Sequence, residues 1–144
     1  MALLSIIMPV YNAAKTIGRT LDSLQIIKKK ELVELVVVDD GSVDDGMKIL
    51  NDKRNKLAPL QFKIITQTNA GTCNARNRGL DSATGEWIMF LDNDDELQVD
   101  CLEYAQNNTR YDALGFRTVF YKNGKPCGDM PAIRLDPKNY LDVL

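Results

Sequence analysis

Four short apolar runs, at residues 4–8, 32–38, 62–66 and 87–91, alternate along the chain with stretches of helical spacing, and each is followed at once by a polar loop. The runs are nearly continuous rather than alternating and rich in Val, Ile and Leu, as strands covered on both faces should be. The stretches between them carry apolar residues three and four apart: Ile17, Leu21 and Leu24 within 13–27; Met47, Ile49 and Leu50 within 44–53; Ala75, Leu80 and Ala83 within 72–83. Strands alternating with helices of this length predict βαβ units, a mostly parallel sheet and right-handed crossovers. In such sheets ligands bind beyond the carboxyl ends of the strands. The residues there are Pro9-Val10-Tyr11-Asn12, Asp39-Asp40-Gly41-Ser42, Gln67-Thr68-Asn69-Ala70-Gly71 and Asp92-Asn93-Asp94-Asp95, so all four loops should share one rim.

Composition narrows the chemistry. With 44% hydrophobic and 26% charged residues, 144 residues predict one globular domain. The formal charge of -2, with both signs interspersed, gives no footprint for nucleic acid. Lys28, Lys29 and Lys30 read as the cationic last turn of the first helix. Cys73, Cys101 and Cys127 lack CxxC spacing and read as free thiols. The apolar start is too short to span a bilayer and has no basic leader, which predicts a cytoplasmic protein. The chain has no histidine, so imidazole metal sites and histidine bases are excluded and the chemistry must run on carboxylates.

The sharpest motif is Asp92-Asn93-Asp94-Asp95. Crowded carboxylates repel unless solvent, a helix dipole or a cation compensates, and Mg²⁺ or Mn²⁺ takes oxygen ligands while leaving positions open for a diphosphate. An isolated DxDD also serves as a solvated helix cap. A second acidic pair changes the balance: Ser42 is placed to cap the helix near Asp44, but capping needs neither Asp39 nor Asp40, and a carboxylate there can accept hydrogen bonds from a nucleobase imide or a ribose hydroxyl. Tyr11 fits either a stacking face for a base or a packing role. Arg76 and Arg78 lie two apart on one helix and cannot share a face, so one should point inward, toward a diphosphate or an Asp, and the other to solvent. Beyond residue 96 the pattern shifts to a short helix at 99–106, a strand at 111–121 with an Asn123-Gly124 hairpin turn, and the start of a helix at 137–144. The chain reads as cut rather than complete.

These motifs, in order, resemble family 2 glycosyltransferases of the GT-A fold: Ser5 to Asn12, then Val37-Val38-Asp39-Asp40-Gly41-Ser42 with Asp44, Asn69-Ala70-Gly71 leading into Ala75-Arg76-Asn77 and Gly79, and Gly85-Glu86 with Phe90 to Asp95. Each is weak alone; four in order at strand ends are specific. The resemblance implies a three-layer αβα domain, with residues 1–96 as donor-binding βαβ units and 97–144 as the start of an acceptor-side half. It implies a nucleoside-diphosphate-sugar donor, most often a UDP-sugar, and transfer with inversion to a glycan or lipid-linked acceptor in polysaccharide or cell-surface glycan synthesis, at the inner face of a membrane. Carried over by position, Pro9, Val10, Tyr11 and Asn12 would line the nucleoside pocket, Asp40 would bond uracil, and Asn69, Gly71 and Arg76 would support the donor or the acidic cluster. Asp92 and Asn93 would face the donor, and Asp94, with Asp92, would hold Mn²⁺ or Mg²⁺.

No base for the acceptor hydroxyl stands out. Glu96, Asp100 and Glu103 follow the acidic motif too closely, and Asp129, Asp136 and Asp142 have no motif around them. Two rival readings remain: a receiver-like phosphoacceptor domain with Asp92 as the phosphorylated residue, and a donor-binding fragment without activity. The absence of GxGxxG after the first strand disfavours a dehydrogenase.

Overall fold

The computed structural model describes residues 2–110, 113–114, 118–122, 125–130 and 134–135. The chain forms two compact units, Met1–Leu102 and Glu103–Leu144. The first unit holds a four-stranded parallel sheet of β1 (Leu4–Val10), β2 (Val33–Asp39), β3 (Gln61–Thr66) and β4 (Trp87–Phe90), in the order β3-β2-β1-β4. Its helices are α1 (Ile17–Ser23), α2 (Gly46–Arg54) and α3 (Thr72–Ser82), followed by α4 (Cys101–Gln106) at the boundary between the units. The order runs outward from β1 through β2 to β3, then returns past β1 to β4. Right-handed crossovers therefore put α1 and α2 on one face and α3 on the other, and the order reverses between β1 and β4. A receiver domain has the strand order 2-1-3-4-5 and is excluded by this topology.

β1 and β2 are buried throughout. Side chains alternate across the sheet. Ile7, Val36 and Val38 pack with Ala75 of α3, joined by Ile65 and Ala83. Gly79 lets α3 lie close, because a Cβ there would collide with Cγ2 of Ile7. Ile6, Met8, Leu35 and Val37 take the other face, the side on which the buried Ile17, Leu21 and Leu24 and the α2 residue Leu50 lie. The expectation of strands covered on both faces fails at the edges: Ile64 of β3 and Ile88 and Phe90 of β4 are exposed, and α3 packs over the central β1 and β2 rather than over the edge strands.

The helices are shorter than their apolar patterns. Residues 13–16 make a turn closed on the Ala13 carbonyl, and after Ser23 the chain tightens into a 3₁₀ turn, Leu24–Ile26. The lysine run lies past that turn rather than in it, yet Lys30 Nζ donates to the Gln25 and Ile27 carbonyls and so does satisfy the end of this segment. α2 starts at Gly46, and Leu80 is exposed while Gly79 takes the buried position.

In the second unit, β6 (Thr118–Lys122) pairs antiparallel with β7 (Lys125–Met130), with Lys122 opposite Lys125, which is the hairpin expected around Asn123-Gly124. The turn residues themselves lie outside the described set, as does the helix expected at 137–144. The single strand expected at 111–121 is seen as β5 (Ala113–Leu114) and β6, with β5 paired to β8 (Arg134–Leu135). No helix among the described residues is long and apolar enough to cross a membrane.

Candidate functional site

Where the strand order reverses, the ends of β1 and β4 leave a cleft of about 290 Å³, lined by Pro9, Val10, Tyr11, Asp40, Thr72, Ala75, Asp92, Asn93 and Asp94. The acids at the ends of β2 and β4 thus face one space. Tyr11 is half exposed at its edge.

Asp40 is buried and held by three donors. Its Oδ1 accepts from Gln67 Nε2 and from the Ala70 backbone N–H, both at 2.8 Å, and its Oδ2 accepts from the Gly71 N–H at 2.9 Å. The Gln67 bond is the main reason its carboxyl stays below the usual 3.8; burial opposes it, and the Ala70 and Gly71 amides add to the lowering. A carboxylate has about four lone-pair positions. Oδ1 is therefore saturated and Oδ2 keeps one acceptor position. Gly41 makes this arrangement possible: its φ is +79°, and a Cβ would lie 3.2 Å from Asn69 N and 3.3 Å from the Gln67 carbonyl oxygen, so only glycine lets the β2 loop rest on the β3 loop.

On the other side, Arg76 Nη2 donates to Asp92 Oδ1 at 2.7 Å and its guanidinium lies over Phe90, 5.8 Å from the ring centre. Arg78 is exposed, so the two arginines divide as their spacing requires. Arg76 Nε is buried without an acceptor among the described residues. Asn93 is a pin: its Nδ2 donates to the Pro9 carbonyl at 3.0 Å, its Oδ1 accepts from Thr16 Oγ1 at 3.2 Å, and its own carbonyl accepts from Thr20 Oγ1 at 2.8 Å. Burial, then the charges of Asp94 and Asp92, push the Asp95 carboxyl above 3.8. Among the described residues no three His, Cys, Asp or Glu side chains converge on a point. The donor set is thus two hard carboxylates, Asp92 and Asp94, facing the cleft, which fits a cation whose shell is completed by ligand oxygens.

Of the other candidates, Asn12 and Gly71 are not among the residues that line the cleft. Asn12, in a left-handed conformation with φ of 50°, receives Val43 N–H on its Oδ1 and gives its own N–H to Ser42 Oγ. Ser42 is therefore a clasp between the β1 and β2 loops and not the cap of α2. Asp44 reinforces the clasp, accepting from Ala14 N–H and Gly46 N–H. Asn69 is exposed beside Gly41. Thr72 and Ala75 line the cleft, and Gln67, Thr16 and Thr20 support it; none was named as a site residue from the sequence, although Gln67 stood in the β3 rim loop and Ala75 in the signature that follows it.

Residues 5–135 match the sequence model of glycosyl transferase family 2. An uncharacterized glycosyltransferase of Haemophilus influenzae is 42% identical over 112 residues, covering 74% of this chain and 42% of that protein. The poly(ribitol-phosphate) beta-N-acetylglucosaminyltransferase TarS of Staphylococcus aureus is 39% identical over 103 residues, 70% of this chain and 18% of TarS. The crystal structure of TarS 1-349 in complex with UDP has a TM-score of 0.67 at 37% identity, covering 74% of this chain and 31% of that one. The mannosyltransferase PcManGT of Pyrobaculum calidifontis, in complex with GDP-Man and Mn²⁺, has a TM-score of 0.66 at 23% identity, covering 84% of this chain and 36% of that one, a likeness of fold alone. The shared architecture is GT-A. The chain spans less than half the length of these relatives.

Proposed function

Because this chain belongs to glycosyl transferase family 2, we propose that its cleft binds a UDP-sugar and that the protein transfers the sugar, with inversion and metal assistance, to a glycan or lipid-linked acceptor in cell-surface polysaccharide synthesis. The observation that carries this reading is that Tyr11, Asp40, Asp92 and Asp94 line one cleft. A single free acceptor on Asp40 suits a base edge with one N–H donor, as in uracil, and TarS, a relative at 37% identity, has been crystallised with UDP and with UDP-GlcNAc.

In this assignment Tyr11 flanks the base, Asp40 accepts its imide proton, and Asp94 with Asp92 holds Mn²⁺ or Mg²⁺. The cation would neutralise charge on the departing diphosphate. Arg76 keeps Asp92 in place, and Asn93 fixes the acidic loop to Pro9, which sets the distance between the nucleoside end and the diphosphate end of the site. No residue is assigned as the base.

The test is calorimetry with UDP, GDP, dTDP and CDP, each with and without Mn²⁺. UDP should bind best, and Mn²⁺ should tighten it. Asp94→Ala should lower Mn²⁺-dependent affinity for UDP by about tenfold with the fold retained, as expected for loss of one charged ligand. An unchanged affinity in that variant refutes the metal assignment.

A further inference from the structure

We propose that Gln67 sets nucleobase selectivity: by occupying Asp40 Oδ1 it leaves this carboxylate one free acceptor, which admits an imide edge with a single N–H and refuses an edge that offers two adjacent N–H donors. The inference rests on the reading of Asp40 as the base-binding group and assigns a role to a residue that does not itself line the cleft.

The argument is a count of acceptor positions. Oδ1 takes Gln67 Nε2 and Ala70 N–H; Oδ2 takes Gly71 N–H. Ala70 and Gly71 donate from the backbone, whose course is fixed by the contact of Gly41 with the 67–69 segment, so these two bonds do not depend on any side chain in the β3 loop. Gln67 is the one side-chain donor of the three. Its own backbone N–H is anchored on the Asp39 carbonyl at 2.9 Å, so the residue stays in register with β2 whatever its side chain does. Without the Nε2 donor, each oxygen of Asp40 has one acceptor position left. One acceptor on each oxygen matches in number the paired N1–H and N2–H donors of guanine, which a carboxylate binds in a bidentate manner. Uracil has only N3–H between two carbonyls, and gains nothing from the second acceptor.

The experiment compares UDP, GDP and the N3-methyl analogue of UDP, all with Mn²⁺, on the wild-type protein and on Gln67→Met, which keeps the length of the side chain and removes the N–H donor. Gln67→Ala carries the same comparison should the Met variant fail to fold. The wild type should prefer UDP over GDP by about tenfold or more, the value of one well-made hydrogen bond to a charged group. In the variant that ratio should fall by about fivefold or more, mostly through tighter GDP binding. A residue that merely supports the loop would weaken UDP and GDP equally, so an unchanged ratio overturns the role of Gln67. If the wild type binds N3-methyl UDP as well as UDP, the reading of Asp40 itself fails, and the Gln67 inference falls with it. If N3-methyl UDP is discriminated against but the UDP-to-GDP ratio survives in the variants, only the Gln67 inference fails.

Discussion

Replacing Gly85 with alanine would place a Cβ 2.6 Å from Ser5 N, 2.7 Å from Ser5 Oγ and 2.8 Å from the Leu4 carbonyl carbon. Ordinary contact starts at 3.4 Å, so residue 85 must withdraw by about 0.8 Å. β1 cannot yield instead: Ser5 is fully buried and paired with Glu34 on one side and Ile88 on the other. The withdrawal acts on Gly85 N–H to Ser5 Oγ at 2.8 Å, and on the neighbouring bonds Thr84 N–H to Glu34 Oε1 at 2.6 Å and Trp87 N–H to the Leu3 carbonyl at 2.9 Å. Moved by 0.8 Å, the first would stand at about 3.6 Å, no longer a hydrogen bond. One or two buried donors left unsatisfied, with the overpacking, put the cost at about 3–5 kcal/mol. That is a large part of the roughly 5–15 kcal/mol of a domain. Gly79→Ala is a comparison without lost hydrogen bonds: its Cβ would collide with Cγ2 of the fully buried Ile7, a branch methyl that cannot swing aside, so α3 must withdraw, and the roughly 1 kcal/mol a helix gains from alanine offsets only part of that overpacking. Its net cost should be about 1–3 kcal/mol. Urea unfolding followed by fluorescence of Trp87, the single tryptophan and two residues from the substitution, measures both. A Gly85→Ala protein within about 0.5 kcal/mol of wild type, or a Gly79→Ala protein less stable than it, would show the reasoning to be wrong.

Glu34 beneath the sheet gives a pH-dependent prediction. Burial raises its pKa, but hydrogen bonds from Ser5 Oγ, Thr84 N–H and Thr84 Oγ1, with the charge of Lys63, outweigh this and hold it below 4.5. A depressed folded pKa contributes stability above the unfolded value, lost as pH falls through the folded one, so wild-type unfolding midpoints should drop below pH 4.5 more steeply than those of Glu34→Gln. At pH 7 that variant should be less stable by about 1–2 kcal/mol in the same urea assay. Thr20→Val removes the donor to the Asn93 carbonyl and should cost about 1–3 kcal/mol. By calorimetry it should also shrink the gain in UDP affinity from Mn²⁺ while leaving affinity for uridine alone unchanged; equal loss for both ligands would refute the view that Asn93 orients the acidic loop.

What could be read from the sequence, and what could not, follows from the range over which each signal acts. The runs that became β1 and β2 are central strands whose continuous branched residues need no partner information, and the acids of the cleft were found because strand ends in such a sheet share a rim. Exposure of Ile88 and Phe90 was hidden, since an apolar run looks the same at an edge as at the centre. Ser42 satisfied a local rule for helix capping, but the Asn12 backbone, 30 positions away, competes for the same oxygen. Asp44 was read as lying at a helix start, and its Oδ1 does accept from the Gly46 N–H that opens α2, but the bond from Ala14 N–H to its Oδ2 spans 30 positions and no local rule shows it. The sequence put Gln67 in a rim loop but showed neither its role nor that of Thr20, because their partners, Asp40 and Asn93, lie 27 and 73 positions away and meet them only once the strand order is known.

The two ends of the cleft differ in how completely the protein satisfies itself. At the Asp40 end, the carboxylate holds three donors and the loops are clasped by Asn12, Ser42 and Asp44, so under the proposed assignment little would have to move for a base to bind. At the other end, Asp92, Asp94 and Asp95 share one turn, with Arg76 paired to Asp92, and the Asp95 carboxyl is raised first by burial and then by the charges of Asp94 and Asp92. A diphosphate entering by itself would add negative charge to a place already short of positive charge, whereas a divalent cation brought in with it cancels both. Under the proposed assignment the rigid end would discriminate between bases while the acidic end would respond to the charge of the ligand. Asn93, joined to Pro9 at one end and to Thr16 and Thr20 of the α1 segment at the other, keeps the two at a fixed spacing.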